Sequence, residues 1–114
     1  LFEKLAQRAV LHVAEFDRQS ISNTVWAYAT LDVCHEELFA VFGEHTVRSG
    51  IWRTFTPQMA SNLLWAYAKV GITITALFDT FAEYIEERIE NLDTQNISNM
   101  AWAYAMAQLL EPTS

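Results

Sequence analysis

Phe55-Thr56-Pro57-Gln58-Met59-Ala60-Ser61-Asn62-Leu63-Leu64-Trp65-Ala66-Tyr67-Ala68-Lys69-Val70-Gly71 carries a start signal, an amphipathic run and a stop signal for one helix. Thr56 offers a side-chain oxygen to the free N–H groups of a first turn. Pro57 sits at the first helical position, where its missing donor costs nothing. Gly71 stands where a left-handed stop is needed. Trp-Ala-Tyr-Ala then recurs at 26–29, 65–68 and 102–105, at spacings of 39 and 37 residues. The flanks keep the register. Asn23, Asn62 and Asn99 precede each tryptophan by three, Ser22, Ser61 and Ser98 by four, and Gln19, Gln58 and Gln95 by seven. Phe16, Phe55 and Leu92 lie ten before it, and Asp17, Thr56 and Asp93 occupy the capping position. A fixed period of this length is the signature of a stacked repeat array.

Each unit reads as two helices. Helix A is predicted over 18–31, 57–70 and 94–109. Helix B is predicted over 35–48 and 75–91, with Leu38, Phe39 and Phe42, then Leu77, Phe78, Phe81 and Ile85, at helical spacing. Residues 1–14 read as a further helix B, since Leu-Phe opens the chain at 1–2 as it does helix B at 38–39 and 77–78. The expected fold is all-α: an α-solenoid of tandem helix-turn-helix repeats of 37–39 residues. Its divisions are a partial repeat over 1–15, repeats over 16–54 and 55–91, and a partial repeat over 92–114. A globular six-helix bundle is the alternative; it would give equivalent residues inequivalent surroundings, whereas a solenoid gives each the same role. The chain opens at Leu1 on residues that read as mid-helix, so it is read as a piece of a longer array with uncapped, adhesive ends.

Composition agrees. The 114 residues (13.0 kDa) are 52% hydrophobic, enough for a core, with three glycines and two prolines, too few for a turn-rich sandwich. The single cysteine, Cys34, excludes an internal disulfide and fits a reduced, intracellular compartment. The uncharged run over 94–110 contains Gln95, Asn96, Ser98 and Asn99, too polar for a membrane span. His12, His35 and His45 have no second ligand at a metal spacing, and Cys34-His35 are neighbours that point apart. No catalytic residue, metal, cofactor or small-molecule substrate is expected, and the chain reads as a non-enzyme.

On a helical wheel Gln58, Asn62, Trp65 and Lys69 fall within one stripe of about 60°. The equivalents are Gln19, Asn23, Trp26 and Thr30, then Gln95, Asn99, Trp102 and Met106. Ala60, Leu64, Tyr67 and Ala68 cover the opposite side and suit packing on helix B. Two readings stand for the stripe. In one, the tryptophans wedge between repeats as core and the amides ladder onto neighbouring backbone. In the other, the amides present paired donors and acceptors to an extended ligand. Positions that vary between units are selectivity candidates on its flank: Ser20, Met59 and Asn96; Thr24, Leu63 and Met100; Thr30, Lys69 and Met106. Asn96 and Lys69 stand ahead of the methionines, and Leu63 and Met100 are equally suited to the core.

The run from Phe55 to Gly71 resembles the helix-A signature of octotricopeptide-type repeats, with relatives among heptatricopeptide proteins and FAST-kinase-like proteins carrying a RAP domain. The resemblance covers nearly the whole chain, although the first and third units lack the glycine found at 71 and no RAP domain is visible. It implies an α-solenoid that binds single-stranded RNA in a mitochondrion or plastid, for transcript processing, stability or translation. Its candidate RNA-binding residues are Gln19, Asn23, Thr30, Gln58, Asn62, Lys69, Gln95, Asn96 and Asn99. The formal charge of −7 is unlike an RNA binder, but most acids fall on helix B: Glu36, Glu37, Glu44, Asp79, Glu83, Glu86, Glu87 and Glu90. The competing function is a protein-interaction scaffold that holds an extended peptide on the helix-A surface.

Overall fold

Side-chain caps set the start of every helix A. Asp17 accepts from the Ser20 N–H at 2.8 Å, Thr56 from the Met59 N–H at 3.2 Å, and Asp93 from the Asn96 N–H at 2.7 Å. In the computed structural model, which describes residues 1–110, these caps open α2 (Arg18–Thr30), α4 (Pro57–Val70) and α6 (Thr94–Leu110). The B helices are α1 (Phe2–Leu11), α3 (Glu36–Arg48) and α5 (Thr75–Glu87). His35 caps α3, its Nδ1 accepting from the Leu38 N–H at 3.2 Å.

The helix-A stops show how the units without a glycine manage. Gly71 takes φ +79, and the Ile72 N–H reaches back to the Tyr67 carbonyl at 3.0 Å. Asp32, the equivalent residue of the first unit, takes φ +58, and the Val33 N–H reaches the Tyr28 carbonyl at 2.8 Å. Asp tolerates the left-handed region better than most residues, so the geometry survives the substitution.

The helix expected over 35–48 ends at Arg48 as predicted, whereas the other two B helices end earlier. Helix B was expected over 75–91, but α5 stops at Glu87 and a 3₁₀ turn occupies Ile89–Asn91. Arg88 leaves helical geometry at φ −119, lies over the Tyr84 ring at 3.9 Å and donates to the Tyr84 carbonyl at 3.2 Å. A guanidinium thus supplies the donor that an ending helix leaves missing. The helix expected over 1–14 likewise ends at Leu11, ahead of a turn at Val13–Glu15, and Ile51–Thr54 repeats the device after α3.

The six helices stack in two layers. α4 lies between α2 and α6, and α3 between α1 and α5. The layers are tied by one contact made three times. The phenols of Tyr28, Tyr67 and Tyr104 donate to the carbonyls of Phe2, Phe39 and Phe78 at 2.5, 2.5 and 2.6 Å. The rings of each pair meet edge to face, with centroids 5.7, 4.9 and 5.2 Å apart. Such ring pairs contribute about 0.5–1.5 kcal/mol beyond the area they bury. The recurrence of Leu-Phe at 1–2, 38–39 and 77–78 is therefore the receiving half of the Trp-Ala-Tyr-Ala motif. Phe16 on Phe42 and Phe55 on Phe81 form a second ladder, at 5.0 and 5.5 Å. Equivalent residues have equivalent partners, as a solenoid requires and a globular bundle does not.

Candidate nucleic-acid interface

The A helices approach closely because their facing side chains are small. Ser22 donates to the Met59 carbonyl of the next A helix at 3.1 Å, and Ala60, Ser61, Ala66 and Ala103 are fully buried. Close packing on both flanks of α4 leaves it one narrow strip facing outward, which the equivalent positions of α2 and α6 extend. On that strip lie Gln19, Asn23 and Thr30 of α2, all exposed. Gln58 and Lys69 of α4 are exposed and Asn62 is half-buried, while in α6 Gln95 is exposed and Asn99 half-buried. The Gln58 amide donates to the Asn62 carbonyl oxygen at 3.0 Å, so two of the candidates are pre-positioned on one another.

One correction to the sequence reading follows from this packing, at Asn96, and two positions left open take a side. Asn96 is 4% exposed and makes a reciprocal cap: its side-chain oxygen accepts from the Asp93 N–H at 3.2 Å while Asp93 accepts from its own N–H. It is held in the α4–α6 seam and faces no ligand. Leu63 and Met100 are buried, as their alternative assignment to the core has it, and Thr24 donates to its own helix at the Ser20 carbonyl, 2.7 Å away. Of the three variable sets, only Thr30, Lys69 and Met106 flank the strip. The tryptophans, core in only one of the two readings of the stripe, reach the surface: Trp26 is 44% exposed, Trp102 is 39% exposed and Trp65 is half-buried. The Trp65 and Trp102 rings lie 6.4 Å apart and are tilted by 35°.

The strip's electrostatics come from what the A helices lack. None of α2, α4 and α6 contains an Asp or Glu, whereas the carboxylates of α3 and α5 are exposed on the other layer. Among the cations on the A helices, Arg18 donates its guanidinium to the Thr54 carbonyl, and Lys69 makes no salt bridge among the described residues. The face is therefore nearly neutral, apolar in its indoles and polar in its amides.

Titratable chemistry is sparse. Asp17 has its carboxyl held below the usual range by the Ser20 N–H and hydroxyl, which fits its cap. Desolvation raises the Cys34 thiol, with Glu36 and Asp32 adding to it. Among the described residues no group of three or more His, Cys, Asp or Glu could hold a metal ion. No helix among them is long and apolar enough to cross a membrane.

A family model described as RNA-editing substrate-binding complex 6 protein matches residues 1–112. The match agrees with the octotricopeptide resemblance at the level of a helical, RNA-related protein. No curated protein and no solved structure matches the chain significantly.

Proposed function

On the premise that this chain belongs to the RNA-editing substrate-binding complex 6 protein family, we propose that it is a non-catalytic module that binds single-stranded RNA along the outward strip of α2, α4 and α6. The observation that carries this is a carboxylate-free face on which three indoles alternate with paired amides. Bases stack on exposed aromatic rings at about 1–3 kcal/mol each, whatever their identity. Amides beside the rings can read base edges. Trp26, Trp65 and Trp102 would provide the platform, and Gln19, Asn23, Gln58, Asn62, Gln95 and Asn99 the polar contacts. Thr30 and Lys69 would sit at the strip's edge, with the Lys69 ammonium on a phosphate. The setting would be an RNA-processing assembly, in the mitochondrion or plastid that the sequence resemblance implies.

Fluorescence anisotropy against random single-stranded RNA tests the reading, at about 50 mM and about 200 mM salt, where phosphate contacts separate from the rest. Binding should weaken in the triple variant Asn23→Ala, Asn62→Ala, Asn99→Ala while circular dichroism shows the helices intact. Binding unchanged in that folded variant would remove RNA from the strip.

The second reading, a scaffold for an extended peptide, is favoured by the scarcity of cations on the strip. A peptide needs none, and amides pair with peptide backbone as readily as with bases. RNA-free chain that captures extended peptides through the same asparagines would decide for it.

A further inference from the structure

The B layer carries the charge that the A layer lacks. Glu36, Glu37 and Glu44 on α3 and Asp79, Glu83, Glu86 and Glu87 on α5 are all exposed, and Arg48 is the one Lys or Arg of the two helices. Arg48 pairs with Glu44 at 2.8 Å, whereas Glu36, Glu37 and Glu83 make no salt bridge among the described residues. A surface of one sign repels itself, and a cationic partner relieves that repulsion.

An apolar groove of about 430 Å³ runs between the same two helices. Ala40, Gly43 and Val47 of α3 form one wall, and Ile74 and Ala76 form the other. At Gly43 a Cβ would meet the Ile74 Cδ1 at 2.9 Å and the Tyr67 hydroxyl at 3.1 Å, so the missing side chain lets the start of α5 seat against α3. The exposed alanines beyond that point keep the groove open. Both walls are internal to the chain, and further repeats would lengthen this layer without covering it. Helical spacing sets carboxylates along the groove. On α3, Glu36 and Glu37 lie one turn before Ala40, and Glu44 lies one turn after it; on α5, Glu83 and Glu87 lie two and three turns after Ala76.

We propose that this groove docks a basic amphipathic helix of a partner protein, with its apolar side chains between α3 and α5 and its lysines or arginines on Glu36, Glu37 and Glu83. A helix laid in such a groove presents apolar anchors every three or four residues, with cations on either side of them at the level of the carboxylates. The negative charge disfavours RNA and acidic partners on this layer. The amides and indoles of α2, α4 and α6 lie on the other layer, so the docked helix leaves them free.

The probe is a fluorescein-labelled synthetic helix with leucines on one face and lysines on the other, titrated with the full chain and read by anisotropy. A peptide of the same composition in scrambled order has the charge without the apolar face. The amphipathic peptide should bind and the scrambled one should not. Glu36→Gln, Glu37→Gln and Glu83→Gln together remove three exposed ion pairs and should weaken binding about tenfold. Ala40→Glu and Ala76→Glu, both at exposed positions, put a carboxylate into the groove. Each should weaken binding, although a purely electrostatic attraction would be strengthened. The variant Asn23→Ala, Asn62→Ala, Asn99→Ala should bind the peptide as the wild type does, which separates this groove from a peptide held on the A helices. Circular dichroism checks that every variant is folded. No binding of the amphipathic peptide, or equal binding of the two peptides, overturns the proposal. So does affinity that is indifferent to the three carboxylates or to both alanine variants, or affinity that is lost with the asparagines.

Discussion

The Tyr67 phenol, fully buried, donates to the Phe39 carbonyl at 2.5 Å while its ring meets the Phe39 ring edge-on at 4.9 Å. One residue of helix A thus grips one residue of helix B through both its ring and its hydroxyl. The buried phenol O–H needs an acceptor, and the Phe39 carbonyl, already bonded within α3, has a second lone pair to give it. Tyr67→Phe keeps the ring and removes the donor, while the Phe39 carbonyl keeps its backbone partner within α3, so the cost is that of one buried hydrogen bond, about 0.5–1.5 kcal/mol. Tyr28→Phe, whose bond to the Phe2 carbonyl is only partly buried, should cost about half as much. Urea denaturation of the two variants gives the comparison; equal costs would show that burial does not set the strength of this link.

Burial also raises the phenol pKa of Tyr28, Tyr67, Tyr84 and Tyr104 above the ordinary value of 10.0. In each case desolvation is the largest cause. The folded chain then keeps protons that the unfolded chain releases, so stability is whole below pH 10 and falls as the pH rises past it. Each phenol still protonated in the folded state should cost about 1.4 kcal/mol per pH unit in that range. Urea midpoints measured from about pH 9 to about pH 11 should fall steadily, and Tyr67→Phe should flatten the slope. A flat profile in the wild type would contradict the burial of these hydroxyls.

Much of this architecture was legible in the residues. Asp17, Thr56 and Asp93 announced three helix starts because a cap is a local device, complete within one turn. Gly71 announced a stop for the same reason, while Asp32 concealed one because its left-handed φ depends on tolerance and not on absence of a side chain. The Leu-Phe repeat was visible, yet its use was not, since the Tyr67–Phe39 bond joins residues that no local pattern connects. The wheel placed Gln58, Asn62 and Trp65 on one stripe correctly. It could not say which azimuth a neighbouring A helix would cover, and so it left Asn96 among the ligand contacts and the place of Trp26 and Trp102 open between core and surface. The azimuth follows from Ser22, Ala60 and Ala66, whose small size lets the A helices meet flank to flank.

Asn96 and Asn99 separate the structural amide from the surface one. Asn96 completes the cap with Asp93, and its Nδ2, like the Ser61 hydroxyl, is buried without a partner among the described residues. By register Ser61 faces Asn96 as Ser22 faces Met59. Asn96→Ala should lower stability by about 1 kcal/mol and leave RNA affinity unchanged. Asn99→Ala should do the reverse, with stability kept within about 0.5 kcal/mol. Thermal unfolding and anisotropy on both variants check the division; a loss of RNA affinity in folded Asn96→Ala would return that residue to the interface.

Salt dependence follows from how few cations the strip offers. The Arg18 guanidinium is engaged with the Thr54 carbonyl, and Lys69 is exposed beside the amides. With about one or two phosphates neutralised, the plot of log affinity against log salt should have a shallow slope, about −0.7 to −1.4. On the proposed reading most of the binding energy would come from stacking on Trp26, Trp65 and Trp102, which salt does not screen. Lys69→Gln should flatten the slope by about 0.7 while Trp102→Ala lowers affinity at every salt concentration and leaves the slope as it was. A steep slope in the wild-type chain, or one indifferent to Lys69, would mean that the phosphates are held somewhere other than the face of α2, α4 and α6.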